Sequence, residues 1–248
     1  MYFCPVFNQT EVSYLVIDIG NTALKAAWCD GITLGRTFRY QGERMMDFIL
    51  SMILKSRPDV MVLSSARHFS DQNISRLSEL CGKLVIMDED IFRKYEIPTY
   101  ITSDRAASII ASRFLFKNKG CTVFDFGTTL SVDFLDKDGK YEGGNISPGC
   151  RTRFKSLNRY TKTLPLIDAP DSFNEKGTDM TSSIEAGVLS GIIFEIEGYI
   201  SHHPENINVF TGGDAIYFAK RMKNSIFVVC NLVLMGLALI ALEYDKKD

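Results

Sequence analysis

One short motif occurs twice in the chain, as Asp18-Ile19-Gly20-Asn21-Thr22 and as Asp125-Phe126-Gly127-Thr128-Thr129, and each copy follows an apolar run. Each copy leads into a second extended-looking segment and then a turn, Asp30-Gly31 in the first copy and Asp138-Gly139 in the second. Asp18 precedes its turn by 12 residues and Asp125 precedes its turn by 13. The chain therefore carries a duplicated strand–turn–strand unit.

The residue types of this unit suit a phosphate site. An Asp at the strand end can hold a cation, or its waters, beside a polyphosphate. The Gly lets the backbone approach, while turn N–H groups and Thr hydroxyls donate to phosphate oxygens. Two ordinary β-hairpins are the alternative, because Asp and Gly are common turn residues. One copy alone would favour the hairpin interpretation, whereas two copies in matched context favour a phosphate-binding site.

Bulk composition limits the function classes. The 248 residues are enough for one large domain or two small ones, and 46% hydrophobic with 23% charged residues is an ordinary globular balance. With a formal net charge of −2, neither nucleic acid nor an anionic membrane is an expected partner. The six cysteines show no Cys-x-x-Cys spacing, which indicates reduced thiols in a cytoplasmic protein and no zinc cluster.

Two segments bear on membrane targeting. Met1 to Gln9 lacks a basic region followed by a long apolar run, so a secretory signal is not expected. Phe227 to Leu242 is strongly apolar, and a short transmembrane helix is one interpretation of it. Asn231 interrupts the run, which favours a buried strand, an Asn cap and a core helix from Leu232 to Glu243.

Hydrophobic periodicity predicts the same element order, β-β-β-α-β-α, in both halves. In the first half we predict strands Tyr14–Ile19, Thr22–Cys29, Thr33–Tyr40, Val60–Ser64 and Lys83–Met87, and helices Glu43–Lys55, Asp71–Cys81 and Arg105–Phe116. In the second half we predict strands Thr122–Asp125, Leu130–Leu135, one beginning at Lys140–Glu142, Asn206–Thr211 and Ile226–Val229, and helices opening at Pro148-Gly149 and spanning Thr181–Ile200, Asp214–Arg221 and Leu232–Glu243.

This order predicts an α/β protein of two lobes, residues 14–116 and 117–248, joined at the polar stretch Lys117–Gly120. Two lobes with a cleft between them suit ATP-dependent phosphoryl transfer, because closure excludes water from the reaction.

Further motifs offer candidate site residues. Gly212 and Gly213 follow a predicted strand and open a helix, where backbone can approach a flat ligand such as adenine; a simple strand-to-helix turn is the alternative. Asp104 could cap the following helix or accept a proton from a substrate hydroxyl, and Arg105 could pair with a carboxylate. Tyr95 could offer its phenol to a ligand or simply be half-buried. Gly143–Gly149 reads as a glycine-rich loop shaping a cleft wall; it lacks the Gly-Lys-Ser/Thr of a Walker A motif.

Taken in order, these motifs resemble the type III pantothenate kinase family. The resemblance covers about Tyr14 to Tyr244 and includes Asp-x-Gly-Asn-Thr, Asp-Arg, Asp-Phe-Gly-Thr-Thr, Gly-Gly-x-Ile-x-Pro-Gly and Thr-Gly-Gly-Asp-Ala. It implies two ribonuclease-H-like lobes of the actin-like/sugar-kinase-like ATPase fold. It also implies a homodimer that phosphorylates pantothenate with ATP, the first step of coenzyme A synthesis, using Mg2+ and a monovalent cation, K+ or NH4+.

The resemblance also implies roles for individual residues. Asp104 would be the general base on the pantothenate hydroxyl, Arg105 would grip the pantothenate carboxylate, Tyr95 would contact the substrate, Asp125 would bind the monovalent cation and Thr128 would contact ATP. The residues implied to hold the ATP phosphates and Mg2+ are Asp18, Ile19, Gly20, Asn21, Thr22, Ala23, Leu24 and Lys25.

Two departures from the family pattern concern the substrate side. Thr102, followed by Ser103, stands where the family usually has Gly two residues before the Asp of Asp-Arg, and its Cβ could narrow the substrate loop. Met180 stands where the family tends to carry a substrate-contacting Thr, with Thr181 adjacent as a substitute. The alternatives to a pantothenate kinase are a weakened ligand-binding regulator of the same fold and a kinase for another small hydroxy acid.

Overall fold

A computed structural model describes residues 13–67 and 69–245. The prediction for Met1 to Gln9 and the interpretation of Cys4 lie outside these residues. The strands are β1 (Tyr14–Ile19), β2 (Leu24–Asp30), β3 (Thr33–Tyr40), β4 (Val60–Ser65), β5 (Lys83–Ile86), β6 (Cys121–Phe126), β7 (Thr129–Leu135), β8 (Tyr141–Pro148), β9 (Ile207–Gly212) and β10 (Ile226–Val228). The helices are α1 (Met45–Ile53), α2 (Asp71–Glu79), α3 (Glu89–Lys94), α4 (Ser103–Leu115), α5 (Cys150–Tyr160), α6 (Met180–His202), α7 (Ala215–Ala219) and α8 (Leu232–Asp245).

The continuous apolar run of β1 makes it the central strand of the first sheet, because only a strand covered on both faces buries every residue. The sheet order is β3-β2-β1-β4-β5. β1 pairs antiparallel with β2 and parallel with β4, so the β1–β2 turn and the end of β4 lie at one edge of the sheet. Leu15, Ile17 and Met61 lie in the core beneath it.

The second sheet repeats the first. Its order is β10-β9-β6-β7-β8, with β6 antiparallel to β7 and parallel to β9. β6 therefore occupies the position of β1, and the β6–β7 turn that of the β1–β2 turn. Phe124, Phe126 and Phe210 form an aromatic part of its core. The predicted α/β class and duplicated unit are confirmed.

Three elements differ from the sequence-based prediction. β10, predicted to be a buried strand, is the edge strand of the second sheet, and its Phe227 and Val228 are 51% and 38% exposed. Gly143–Pro148, predicted to be a loop, is most of β8, an edge strand paired with β7. An edge strand tolerates glycine and proline because one side of its backbone needs no strand partner. The short helix α3 was not predicted; Asp88 caps it by accepting from the N–H groups of Asp90 and Ile91.

The chain divides into two units at a different place from the predicted 116/117 boundary. The first unit ends at Ala111, within α4, and also contains α8; the second runs from Ser112 to Asn231. α8 belongs to the first unit because it packs on β1 and β4, and because Gly236 lies against α4. A Cβ at Gly236 would fall 2.0 Å from the Ala107 carbonyl oxygen. The described part of the chain holds no helix long and apolar enough to cross a membrane.

Candidate functional site

The β1–β2 turn presents the first candidate phosphate group. The Gly20 N–H donates to the Ala23 carbonyl at 3.0 Å, which closes the turn and leaves Asn21 and Thr22 exposed. Ala23 and Leu24 are buried, and Ile19 lies in the core, so their side chains anchor the turn while their backbone lines it. Lys25 is half-buried and faces Asp18 across the antiparallel pair.

Asp18 is a buried carboxylate at the end of β1, only 9% exposed. The Ser64 hydroxyl donates to its Oδ1 at 2.9 Å. The pKa of Asp18 is raised to about 6, chiefly by burial and also by the negative charge of Asp104, while the Ser64 hydrogen bond and Lys25 act in the opposite direction. The structure therefore brings Asp18 and Asp104 together in the first unit.

This arrangement fits a bound magnesium ion. A buried carboxylate next to a second carboxylate gains from a cation, since the cation removes the mutual repulsion. Mg2+ is usually held by one or two carboxylates together with substrate phosphates and waters, rather than by an all-protein cage. Within residues 13–67 and 69–245, no cluster of three or more His, Cys, Asp or Glu residues forms such a cage. Asp18 with Asp104 matches the Mg2+–phosphate type of site.

The start of α4 carries the candidate base. The helix begins at Ser103, and the Thr102 carbonyl accepts the first helical hydrogen bond, from Ala106 at 2.9 Å. Asp104 therefore lies inside the first turn rather than at the capping position, where its charge is favoured by the helix dipole. Its Oδ1 accepts from the Arg105 N–H at 2.9 Å. Arg105 is only 7% exposed.

The substrate loop residues preceding Asp104 are divided between surface and core. Thr102 is exposed, so its Cβ points away from the packed interior. Ser103 is buried, and its hydroxyl donates to the Ser65 carbonyl at 3.4 Å, which ties the start of α4 to the end of β4. That contact holds Asp104 at the sheet edge where Asp18 lies.

Tyr95 ends α3 in the same unit and is half-buried. Its hydroxyl donates to Oε2 of Glu243 in α8. Burial is the main cause that raises the pKa of Tyr95, and the hydrogen bond to Glu243 adds to it. Sequence reasoning missed Glu243 because it lies 148 residues away from Tyr95.

The β6–β7 turn is the second candidate phosphate group. The Gly127 N–H donates to the Thr129 carbonyl at 2.9 Å, and Thr128 is exposed at the tip. The Thr128 carbonyl accepts from the Gly149 N–H at 3.0 Å and from the Thr152 hydroxyl at 2.6 Å. Sequence reasoning did not assign Gly149 and Thr152 to this turn, although the Pro148-Gly149 helix start was a signal for the first of them.

Asp125 and Gly212 lie in contact beside that turn. Gly212 ends β9 with a φ of +91°, and a Cβ there would fall 2.5 Å from Asp125 Oδ1 and 2.4 Å from the Phe126 carbonyl oxygen. Gly213 is exposed and donates its N–H to Phe126 at 2.8 Å. Asp125 Oδ1 and the Phe126 carbonyl oxygen both lie close to Gly212, and oxygen ligands of these two kinds are compatible with a bound K+ ion.

The remaining predicted substrate residues belong to the second unit. Met180 is 54% exposed and Thr181 is exposed; both lie in the first turn of α6. Asp179 caps that helix reciprocally with Ser182. The structure thus places Asp18, Asp104, Arg105 and Tyr95 in the first unit, and Asp125, Thr128, Gly212 and Met180 in the second.

Comparisons with known proteins identify one family. The model of the type III pantothenate kinase family matches residues 14–202. A type III pantothenate kinase of Phocaeicola vulgatus is 36% identical over 245 residues, covering 94% of this chain and 99% of the relative. One from Azobacteroides pseudotrichonymphae is 33% identical over 241 residues, covering 94% and 98%.

Solved structures resemble the chain in fold. A Campylobacter jejuni protein assigned to a Baf family of transcriptional activators superposes with a TM-score of 0.64 at 18% identity, covering 94% of this chain and 99% of that protein. A ROK hexokinase from Thermus thermophilus gives 0.55 at 12% identity, covering 95% and 100%. At these identities the likeness concerns the fold alone, which is that of the actin-like/sugar-kinase-like ATPases, with two ribonuclease-H-like lobes.

Proposed function

The chain belongs to the type III pantothenate kinase family, and from that premise we propose how its own residues carry out the reaction. It phosphorylates pantothenate with ATP to give 4'-phosphopantothenate, the first step of coenzyme A biosynthesis. The observation that carries the assignment of roles is the pairing of buried Asp18 with Asp104 at one edge of the first sheet.

Asp104 takes the proton of the pantothenate hydroxyl as the hydroxyl oxygen attacks the γ-phosphorus of ATP; the bond from that phosphorus to the β,γ-bridging oxygen breaks, and ADP leaves. Asp104 is half-buried at the start of α4, and its carboxylate is held by the Arg105 N–H. General-base catalysis of this kind contributes about 10²–10⁴-fold in rate. Arg105 pairs with the substrate carboxylate, since a guanidinium can make two parallel hydrogen bonds to it. Tyr95, Thr102 and Ser103 also contact the substrate.

Asp18 holds Mg2+ or its coordinated waters, and the turn from Ile19 to Lys25 binds the ATP phosphates. Asn21 and Thr22 are exposed, and the Asn21 side-chain amide, the Thr22 hydroxyl and the backbone N–H groups of the turn can donate to phosphate oxygens, while Lys25 supplies positive charge. Mg2+, when bound with ATP, supplies charge that neutralises the transferred phosphoryl group.

In the second unit, Asp125 binds the monovalent cation, K+ or NH4+, and Thr128 contacts ATP. Gly212 and Gly213 have no side chain, so the backbone can come close to a flat ligand such as adenine. Gly212 also has a positive φ, which glycine adopts readily. Met180 and Thr181 contact pantothenate from the start of α6.

The enzyme acts as a homodimer in the cytoplasm. The cytoplasmic assignment is supported by the free thiols of Cys29, Cys81, Cys121 and Cys150, all buried, which suit a reducing compartment. Light scattering in solution tests the dimer, which is expected at twice the mass of the chain; a monomeric mass would contradict it.

One experiment tests the function. The purified chain is incubated with ATP, Mg2+ and pantothenate, with and without K+ or NH4+, and 4'-phosphopantothenate is measured directly by mass spectrometry. Direct detection is needed because coupling enzymes can themselves require K+. Product that depends on ATP and rises with K+ supports the proposal. Absence of product, with retained nucleotide binding, would instead favour a ligand-binding regulator, and transfer to a different hydroxy acid would favour another substrate.

A further inference from the structure

The carboxylate of Glu243, near the end of α8, contacts two residues at the end of α3. Oε2 of Glu243 accepts a hydrogen bond from the Tyr95 hydroxyl, and Lys94 Nζ lies 2.7 Å from Oε1 of the same side chain. The Lys94 ammonium also lies 4.3 Å from the ring centroid of Tyr244. Side-chain exposures of 25% for Lys94 and 38% for Glu243 show that this ion pair is partly shielded from water. Both oxygens of Glu243 are therefore engaged by neighbouring residues of α3.

The direction of the hydrogen bond at Tyr95 follows from the chemistry of its partner. A carboxylate can only accept hydrogen bonds, so the phenol must donate its proton to Glu243. Because burial and this contact both raise the pKa of Tyr95, the phenol keeps that proton. Its oxygen, with the proton already donated, can only accept a hydrogen bond from a third group.

The backbone at Tyr95 is also held in place. Glu96, the next residue, has a φ of +51°. The N–H of Glu96 donates to the Arg93 carbonyl at 3.1 Å, and that of Ile97 donates to Phe92 at 2.8 Å. This is the Schellman pattern that ends helices, here with a non-glycine residue in the left-handed conformation. Tyr95 is thus fixed by its backbone from α3 and by its hydroxyl from α8.

The loop beyond Tyr95 leads directly to the candidate base. Ile97 is 4% exposed and Ile101 is 3% exposed, and the Ile101 N–H donates to the Pro98 carbonyl at 3.1 Å. α4, with Asp104 in its first turn, starts two residues after Ile101. A displacement of Tyr95 is therefore expected to alter the substrate side of the site.

We infer that Glu243 is a positioning residue, which fixes the Tyr95 phenol as a hydrogen-bond acceptor for a donor group of the substrate. Pantothenate carries such donors in its amide N–H and its hydroxyls. The inference rests on the proposed function and extends it to the last helix of the chain. It also means that an acceptor presented at the same place would meet the phenol oxygen lone pair to lone pair and bind poorly.

Steady-state kinetics of Glu243→Ala, Glu243→Gln and Tyr95→Phe test the inference, each with pantothenate and ATP varied in turn. Loss of one such hydrogen bond is expected to raise the pantothenate KM about fivefold to tenfold in Glu243→Ala and in Tyr95→Phe. The KM for ATP should be unchanged. Glu243→Gln keeps an acceptor oxygen for the phenol and should restore most of the pantothenate KM, although it loses the charge that pairs with Lys94.

The double variant shows whether Glu243 acts through Tyr95. In a Tyr95→Phe background, Glu243→Ala should change the pantothenate KM by less than about twofold, because the shared hydrogen bond is already absent. A full additional increase would overturn the inference by showing that Glu243 acts by another route.

The chain offers a matched control at the same helix end. The Tyr14 hydroxyl donates to Oδ2 of Asp245 at 3.0 Å, a second tyrosine–carboxylate bond that holds α8. Tyr14→Phe should lower the thermal midpoint without changing the pantothenate KM. An equal rise of the pantothenate KM in Tyr14→Phe and Glu243→Ala would overturn the inference, because general loosening of α8 would then explain both.

The outcomes also separate the inference from the function beneath it. An unmodified chain that gives no 4'-phosphopantothenate overturns the proposed function and the inference with it. An active chain whose pantothenate KM is unmoved by Glu243→Ala overturns the inference alone. If Glu243→Ala fails to fold, Glu243→Gln and Lys94→Met test the inference instead. Lys94→Met removes the ion pair but keeps the hydrogen bond from the Tyr95 hydroxyl, so its pantothenate KM should stay near the unmodified value. A large rise of that KM would overturn the inference.

Discussion

The Ser64 hydroxyl donates a hydrogen bond of 2.9 Å to Oδ1 of Asp18, and this is the polar contact that accompanies the burial of that carboxylate at the end of β1. Burial and the neighbouring charge of Asp104 outweigh it, so the pKa of Asp18 stays raised to about 6. Near neutral pH the folded protein therefore holds the Asp18 carboxylate in its charged form at a site that disfavours the charge. This is expected of a side chain that binds a cation rather than one that stabilises the fold.

Asp18→Asn is expected to stabilise the protein at pH 8. The pKa of Asp18 is about 6 in the folded state and 3.8 as the reference value, so the folded state binds the proton more tightly. The cost of the charge is absent below pH 4, grows between pH 4 and 6 and is complete above pH 6, where it amounts to about 2–3 kcal/mol. Urea unfolding at pH 4 and pH 8, without ATP or Mg2+, measures it.

Asp30→Asn is the matched control for that experiment, since Asp30 is an exposed carboxylate at the end of β2. It should change the free energy of unfolding little at either pH. If Asp18→Asn were equally neutral at pH 8, the carboxylate would not be strained by burial, and its assignment to Mg2+ would lose its main physical support.

Asp104→Asn is expected to lower turnover by about 10²–10⁴-fold while the protein stays folded. The amide cannot take the hydroxyl proton, but its oxygen can still accept from the Arg105 N–H, so the start of α4 should keep its local structure. The measurement is kcat for pantothenate phosphorylation, together with the circular dichroism spectrum.

Asp71→Asn controls for the helix dipole, because Asp71 lies in the first turn of α2 just as Asp104 lies in that of α4. It should leave kcat near the unmodified value. Wild-type turnover in Asp104→Asn would remove Asp104 from the role of base.

Local patterns predicted the parts of the fold that repeat. The motif at Asp18 and its copy at Asp125 marked the two turns because Asp, Gly and Thr determine a strand end within a few residues. Parts that depend on distant pairing were not predicted. Gly143–Pro148 becomes a strand because β7 offers it a partner, and α8 joins the first unit because it packs on β1 and β4, with Gly236 lying close to Ala107.

The same distinction holds for the candidate site. Asp104 and Arg105 were found as an adjacent pair at the entrance to a predicted helix. The Glu243 contact of Tyr95 was not found, because neither residue type nor local spacing indicates a partner 148 residues along the chain. Only the packing of α8 on the first sheet brings the two together.

Asp125→Ala is expected to weaken activation by K+, because the variant loses the charged oxygen ligand beside the β6–β7 turn. The measurement is the rate of product formation against K+ concentration. An activation curve identical to that of the unmodified enzyme would show that the cation binds elsewhere.

Gly212→Ala tests the proposed cation site at Asp125 through a change next to the backbone. Its Cβ would lie 2.5 Å from Asp125 Oδ1, and the residue would have to keep a φ of +91°, so it should both destabilise the protein and weaken the K+ response. Gly213→Ala is the matched variant, since its Cβ would lie 3.9 Å from the Phe126 carbonyl oxygen, and it should cost much less stability.

Arg105→Lys is expected to raise the KM for pantothenate while leaving the KM for ATP nearly unchanged. Arg105 is only 7% exposed, so its charge is partly desolvated and a contact made by its guanidinium is strengthened. Lys keeps the charge but offers a point donor in place of a two-pronged one. Hydrogen bonds to charged groups contribute roughly 1.5–3 kcal/mol, so a rise of the pantothenate KM of about tenfold or more is expected.

Arg113→Lys serves as the control on the same helix, since Arg113 Nε donates to the Gly139 carbonyl in the second unit. It should alter stability without a selective effect on either KM. A rise in the ATP KM alone for Arg105→Lys would assign Arg105 to the nucleotide and leave the pantothenate carboxylate without its proposed partner.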